Sequence, residues 1–218
     1  MLGDPLAASP RDVEETLPPR LIRMAVAFTV TMSACNAIGT ALSPWLLVEH
    51  PLVLVALAPE IRHMVLAVGT VDFWVLLVVG AARRVLSMLS SYGIAAVYGV
   101  VAIRWLEGRW PRVGRVARWL DRAMRRRGPL LLLIVPSYTM SVMAGFSRYP
   151  LRNFLAVTAV GQLWMVAVYL LVGESILGWT APLLGWLRGH VWECTAATVT
   201  VVGIQQGVSQ WRKRRRAG

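Results

Sequence analysis

The chain has 218 residues, 56% of them hydrophobic, and a formal net charge of +12. Its apolar residues fall in blocks that approach the roughly 20 needed to cross about 30 Å of hydrocarbon, which excludes a soluble globular domain or a soluble domain on one anchor. In a membrane protein the positive excess reflects topology, because basic residues gather on the cytoplasmic side, so nucleic acid is not an expected partner.

Residues 1–20, with Asp4, Asp12, Glu14 and Glu15, lack the pattern of a cleaved signal peptide and read as a polar tail. A single membrane domain is expected over 21–211. Met24–Val48 reads as a first span, leaving the cytoplasm after Arg20 and Arg23. A broken span follows over about 50–71: apolar at 52–58, polar at Pro59-Glu60-Ile61-Arg62-His63, and apolar again at 64–71. This shape predicts a hairpin that enters and leaves from the outer face.

Glu60, Arg62 and His63 form the strongest local cluster of candidate site residues. Arg62 suits a phosphate-bearing headgroup, and a carboxylate beside an imidazole suits proton exchange. The alternative is an exposed loop joining two short helices. Asp72 either pairs with Arg83 or Arg84 or is a helix N-terminal residue favoured by the dipole. The stretch from Phe73 to Leu106 is too long for one simple span, and it reads as a long broken helix or as two helices. At membrane depth, Arg83 and Arg84 must face a cavity or a carboxylate. At the cytoplasmic edge they are topological anchors.

From Arg104 to Arg127 nine arginines alternate with Leu106, Trp110, Val113, Val116, Leu120 and Met124, which predicts a basic amphipathic helix at the lipid interface, with a solvated loop helix as the alternative. A second broken span covers about 129–146, with Pro136-Ser137-Tyr138 at its tip. Spans are expected at 154–172 and 191–208, joined by a loop, ahead of a basic tail at 212–218. Both the Arg-rich helix and this tail belong in the cytoplasm. Two full spans return the chain to its starting side, so the segment over 129–146 must dip in and come back. Two hairpins entering from opposite faces are the mark of an inverted repeat. The expected fold class is therefore all-α and polytopic, with an inverted repeat and two re-entrant helical hairpins.

Cys35 and Cys194 lie within apolar blocks, and neither a disulfide framework nor a metal site nor a cofactor is expected. The chain has no HExxH, GxSxG or GxxxxGK[ST] pattern, so an enzyme is not expected.

The stretches HPLVLVALAPEIRHMVLA, GRWPRVGRVARWLDRAMRRRGPLLLLIVP and MAGFSRYPLRNFLAVTAVGQLW, in that order, resemble the DedA family, the bacterial branch of the SNARE-associated or VTT-domain proteins. The resemblance covers roughly 50–178 and includes Phe154, Gly161 and Trp164. It implies paired re-entrant hairpins in a bacterial plasma membrane. The activity it implies is movement of lipids across the bilayer, either of polyprenyl phosphate carriers or of phospholipids. The headgroup path would use Glu60 and Arg62 on one side and Pro136, Ser137 and Tyr138 on the other. The family's arginines three residues before and after the second-hairpin proline are replaced here by Leu133 and Thr139. Ser87, Ser90 and Ser91 stand in the region of its second carboxylate, so the chain resembles a divergent member.

The leading expectation is thus a flippase-like or scramblase-like translocase whose partners are membrane lipids, polyprenyl phosphate or anionic phospholipid. Homo-oligomerisation is compatible with it. The alternative is a non-transporting membrane scaffold that binds anionic lipids or partner proteins.

Overall fold

The computed structural model describes residues 19–109, 128–134 and 136–217. The elements are helices: α1 Pro19–Ala41, α2 Ser43–Glu49, α3 Pro51–Leu57, α4 Ile61–Ala67, α5 Phe73–Arg109, α6 over 128–134, α7 Tyr138–Phe146, α8 Leu151–Ser175, α9 Leu177–Gly189 and α10 Val191–Ala217. Three of them contain stretches long and apolar enough to cross a membrane: Pro19–Ala41, Phe73–Tyr98 and Leu151–Ser175. At 1.5 Å per residue, even the shortest, at 23 residues, exceeds the roughly 30 Å hydrocarbon layer. Their outward positions carry Met24, Val30, Ile38, Trp74, Val78, Val160, Trp164 and Leu171, all exposed, an arrangement suited to lipid and not to water. The chain is an all-α polytopic membrane protein.

Prolines punctuate the first half. Pro44 and Pro51 sit in the first turns of α2 and α3, where a missing N–H costs nothing. Pro59 pushes the preceding Ala58 into extended backbone (φ −130°, ψ 87°) and ends α3. After Pro59 only Glu60 separates the chain from α4, so Ile61, Arg62 and His63 belong to that helix. The long apolar stretch beyond Asp72 resolves into one uninterrupted helix of 37 residues, α5, which passes straight through Arg83 and Arg84. Asp72 lies just ahead of it, and its Oδ1 accepts hydrogen bonds from the Trp74 and Val75 amides at 2.9 and 3.2 Å. That is the helix N-terminal role. Of the Arg-rich stretch 104–127, residues 104–109 continue α5, and the remainder lies outside the described residues, as does the polar tail up to residue 18.

In the second half Pro136 interrupts the helical path, and Ser137 takes extended backbone (φ −114°, ψ 159°) and caps α7 through its hydroxyl, which accepts from the Met140 amide. α7 closes on a left-handed Arg148 (φ 48°), with Tyr149 N–H on Ala144 O and Arg148 N–H on Gly145 O. This is the Schellman closure that glycine usually makes. Between α8 and α10, where a loop was expected, lies the 13-residue helix α9.

The chain forms two compact units, Met1–Met32 with Arg84–Met165 (unit 1) and Ser33–Arg83 with Val166–Gly218 (unit 2). Unit 1 has a core of Met88, Leu132, Ala144 and Phe154, where the Tyr92 and Phe154 rings stack at 4.6 Å. Unit 2 has a core of Val55, Met64, Ala67, Leu76, Leu77, Ala81, Val166 and Leu170, and a second cluster of Leu46, Leu47 and Leu54. Each unit holds one broken helix pair: α3 and α4 in unit 2, α6 and α7 in unit 1.

Candidate functional site: two breaks in the helices

A helix that ends leaves its last carbonyls without intrahelical donors, and where they are buried other groups must satisfy them. The surroundings of each break show how this chain meets that demand.

At the first break, in unit 2, Arg83 reaches across from α5. Its Nε donates to Ala56 O at 2.8 Å and its Nη2 to Leu57 O at 3.0 Å. A guanidinium on the last carbonyls of a helix also meets the negative end of the helix dipole. His63 Nδ1 lies 2.8 Å from Ala58 O, so this nitrogen carries the proton and donates. The ring is almost fully buried. α1 comes in closely here. A Cβ on Gly39 would stand 2.8 Å from Ala58 Cβ, so only glycine fits. The next residue, Thr40, donates its hydroxyl to Glu60 Oε1 at 3.2 Å. The other carboxylate oxygen, Oε2, pairs with Arg62 at 2.8 Å, and this pair is open to its surroundings, with Arg62 59% and Glu60 37% exposed.

At the second break, in unit 1, the stitching is done by an amide. Gln162 lies in the middle of α8 and is fully buried. Its Nε2 donates to Pro136 O at 2.8 Å and lies 3.2 Å from Met88 Sδ, while its Oε1 accepts from Arg84 Nε at 2.5 Å. The side chain of Gln162 therefore uses both its donor and its acceptor. Gly161 permits the approach: a Cβ there would stand 3.1 Å from Leu132 O and 3.3 Å from Leu133 O. Ser141 Oγ donates to Ser137 O, and Tyr138 points outward and is exposed.

The candidate residues thus divide between two places. Glu60, Arg62, His63 and Arg83 gather at the first break. Arg84, Pro136, Ser137 and Tyr138 surround the second. Asp72 is used in the cap of α5. Arg83 and Arg84 are both largely buried; Arg83 donates to the Ala56 and Leu57 carbonyls and Arg84 to the Gln162 amide oxygen. Sequence reasoning passed over Gln162 and Thr40. A lone Gln inside an otherwise apolar block was the available signal for the first, since a polar group in a span needs a partner there. Among the described residues no three His, Cys, Asp or Glu side chains come together as metal ligands.

Comparison with family models, with curated proteins and with solved structures finds no match to the chain.

Proposed function

We propose that this protein moves lipids or phosphorylated lipid carriers across the bilayer, as a divergent member of the DedA type, with a headgroup path that begins at Glu60 and Arg62. The observation that carries the reading is the exposed Arg62–Glu60 pair, placed at the end of a broken apolar helix pair. A headgroup phosphate is chemically able to replace Glu60 as the partner of Arg62, because a guanidinium accepts either oxyanion in the same fork. The carboxylate, still held by Thr40, then stays in place to take the cation back. Two compact units with one broken helix pair each support the reading of paired re-entrant hairpins in an inverted repeat. In that reading Tyr138 and Ser137 offer hydroxyl contacts at the second hairpin. Leu133 and Thr139 stand where the family resemblance calls for arginines, and Arg84 is turned onto Gln162. The exposed Arg62 at the first break is thus the guanidinium offered to a phosphate in this reading.

The test is lipid translocation in proteoliposomes, with a polyprenyl phosphate and fluorescent phospholipids offered to the native chain and to Glu60→Gln and Arg62→Ala. Movement by the native chain that both variants lose supports the path and identifies the lipid class. Folded native protein that moves neither lipid ends the translocase reading in favour of the scaffold.

A further inference from the structure

Helix α9 has two apolar faces. Along one, Leu177 packs on the Val55–Met64 core, and Leu184 and Leu187 pack on the cluster of Leu46, Leu47 and Leu54. Along the other, Trp179, Leu183 and Trp186 touch little, with Trp179 87% exposed. Positions 179, 183 and 186 are spaced by four and three and so lie on one side of the helix. Trp192, in the first turn of α10, is also exposed. Three large indoles held away from the protein core are an apolar surface that water does not suit.

The position of α9 in the chain identifies what covers this face. It starts one residue after α8, a membrane-spanning helix whose last turn carries the exposed polar pair Glu174 and Ser175. Those two residues mark where the span leaves hydrocarbon. With 13 residues, α9 is about 20 Å long and too short to cross. Between Ile176 and Trp192 the only charged or titratable side chains are Arg188 and His190, so the surface is not one that reads a charged partner. Tryptophan prefers the level of the lipid ester groups, where its ring meets acyl chain and its N–H finds an acceptor. Trp186 is held in a fixed pose by the residue at the end of the helix. The His190 ring stacks on it at 4.8 Å and 19°, and His190 Nδ1 donates back to Trp186 O at 3.2 Å.

We infer that α9 lies in the plane of the membrane, its Trp179–Leu183–Trp186 face seated in the boundary between headgroups and acyl chains and its Leu177–Leu184–Leu187 face packed on α2 and α3. It thereby anchors unit 2, including the elements that carry the first break, at a fixed depth. The inference does not depend on lipid transport.

The full chain, with Cys35 and Cys194 replaced by alanine, is made with Trp179→Cys, Leu183→Cys, Trp186→Cys or, as a reference inside a span, Val160→Cys. Each is spin-labelled in phosphatidylcholine vesicles, and collisions with oxygen and with a water-soluble nickel chelate give depth. The labels on α9 are expected at a common depth of roughly 5–10 Å below the headgroups, with the Val160 label deeper. Nickel contact equal to that of a free label in water would overturn the inference, as would spin–spin coupling that disappears on dilution with unlabelled protein, since that places a second copy on the face. Leu183→Cys removes no packed side chain, so it carries the test if a tryptophan variant fails to fold.

Discussion

The two breaks solve one problem with different chemistry. Both interrupt an apolar helix at a proline, both are approached by a glycine of a long helix, and both receive a polar side chain on their loose carbonyls. The first takes a guanidinium and leaves an ion pair open at its edge. The second takes a buried amide with Arg84 behind it. Helices in lipid gain little from hydrophobic association and rely on close packing and polar bonds, so such stitches carry much of the local stability. The second break is closed by buried groups, whereas the first leaves the Arg62–Glu60 pair within reach of its surroundings.

The largest effect should come from the second break. Gln162→Leu keeps the volume but leaves Pro136 O and Arg84 without this partner, and should lower stability by about 3 kcal/mol, read as a fall in melting temperature in detergent. Gln162→Glu restores an acceptor for Arg84 but no donor for Pro136 O, so it should recover part of the loss. A leucine variant that melts with the native chain would show that the second break stands without its amide. Next comes Arg83→Leu, expected to cost about 2 kcal/mol through two charge-assisted bonds. Its signature is faster amide hydrogen exchange in α3 with α7 unchanged. Equal acceleration in both would dissolve the distinction between the two breaks.

Smaller still is Glu60→Gln, where the loss of a half-exposed ion pair should shift stability by under about 1 kcal/mol. A larger change would make Glu60 a structural residue like Gln162. The smallest effect has the opposite sign. Arg148→Gly should relieve the left-handed backbone at the end of α7 and, net of glycine's larger unfolded-state entropy, raise stability by about 0.4 kcal/mol, measured in the same melting series.

Both breaks were legible in the sequence because proline inside an apolar block has few other meanings. The membrane-length helices α1 and α8 were legible as apolar blocks, and Glu60, Arg62 and His63 as a cluster. The continuity of α5 was not, since Arg83 and Arg84 draw on oxygens 27 and 78 residues away, beyond the reach of local pattern. Gln162 was overlooked for the same reason: its worth lies in Pro136 and Arg84, and neither is its neighbour in the chain. α9 is hidden in the sequence because Gly178, Pro182, Gly185 and Gly189 are residue types that favour loops, although all four stand exposed beside its tryptophan face.

The two units are interleaved along the chain, and their limits fall within α1, α5 and α8, with no linker between them. That order has a consequence for synthesis. When residue 165 has left the ribosome, every segment of the unit containing the second break is present. Val55 and Met64, made long before, still lack Val166 and Leu170, and their core closes only as the last quarter of the chain emerges. Until then the half-built unit with the first break is the part of the nascent protein that needs a holder, and a chain arrested near residue 165 should be the species that an insertase or membrane chaperone is found to grip.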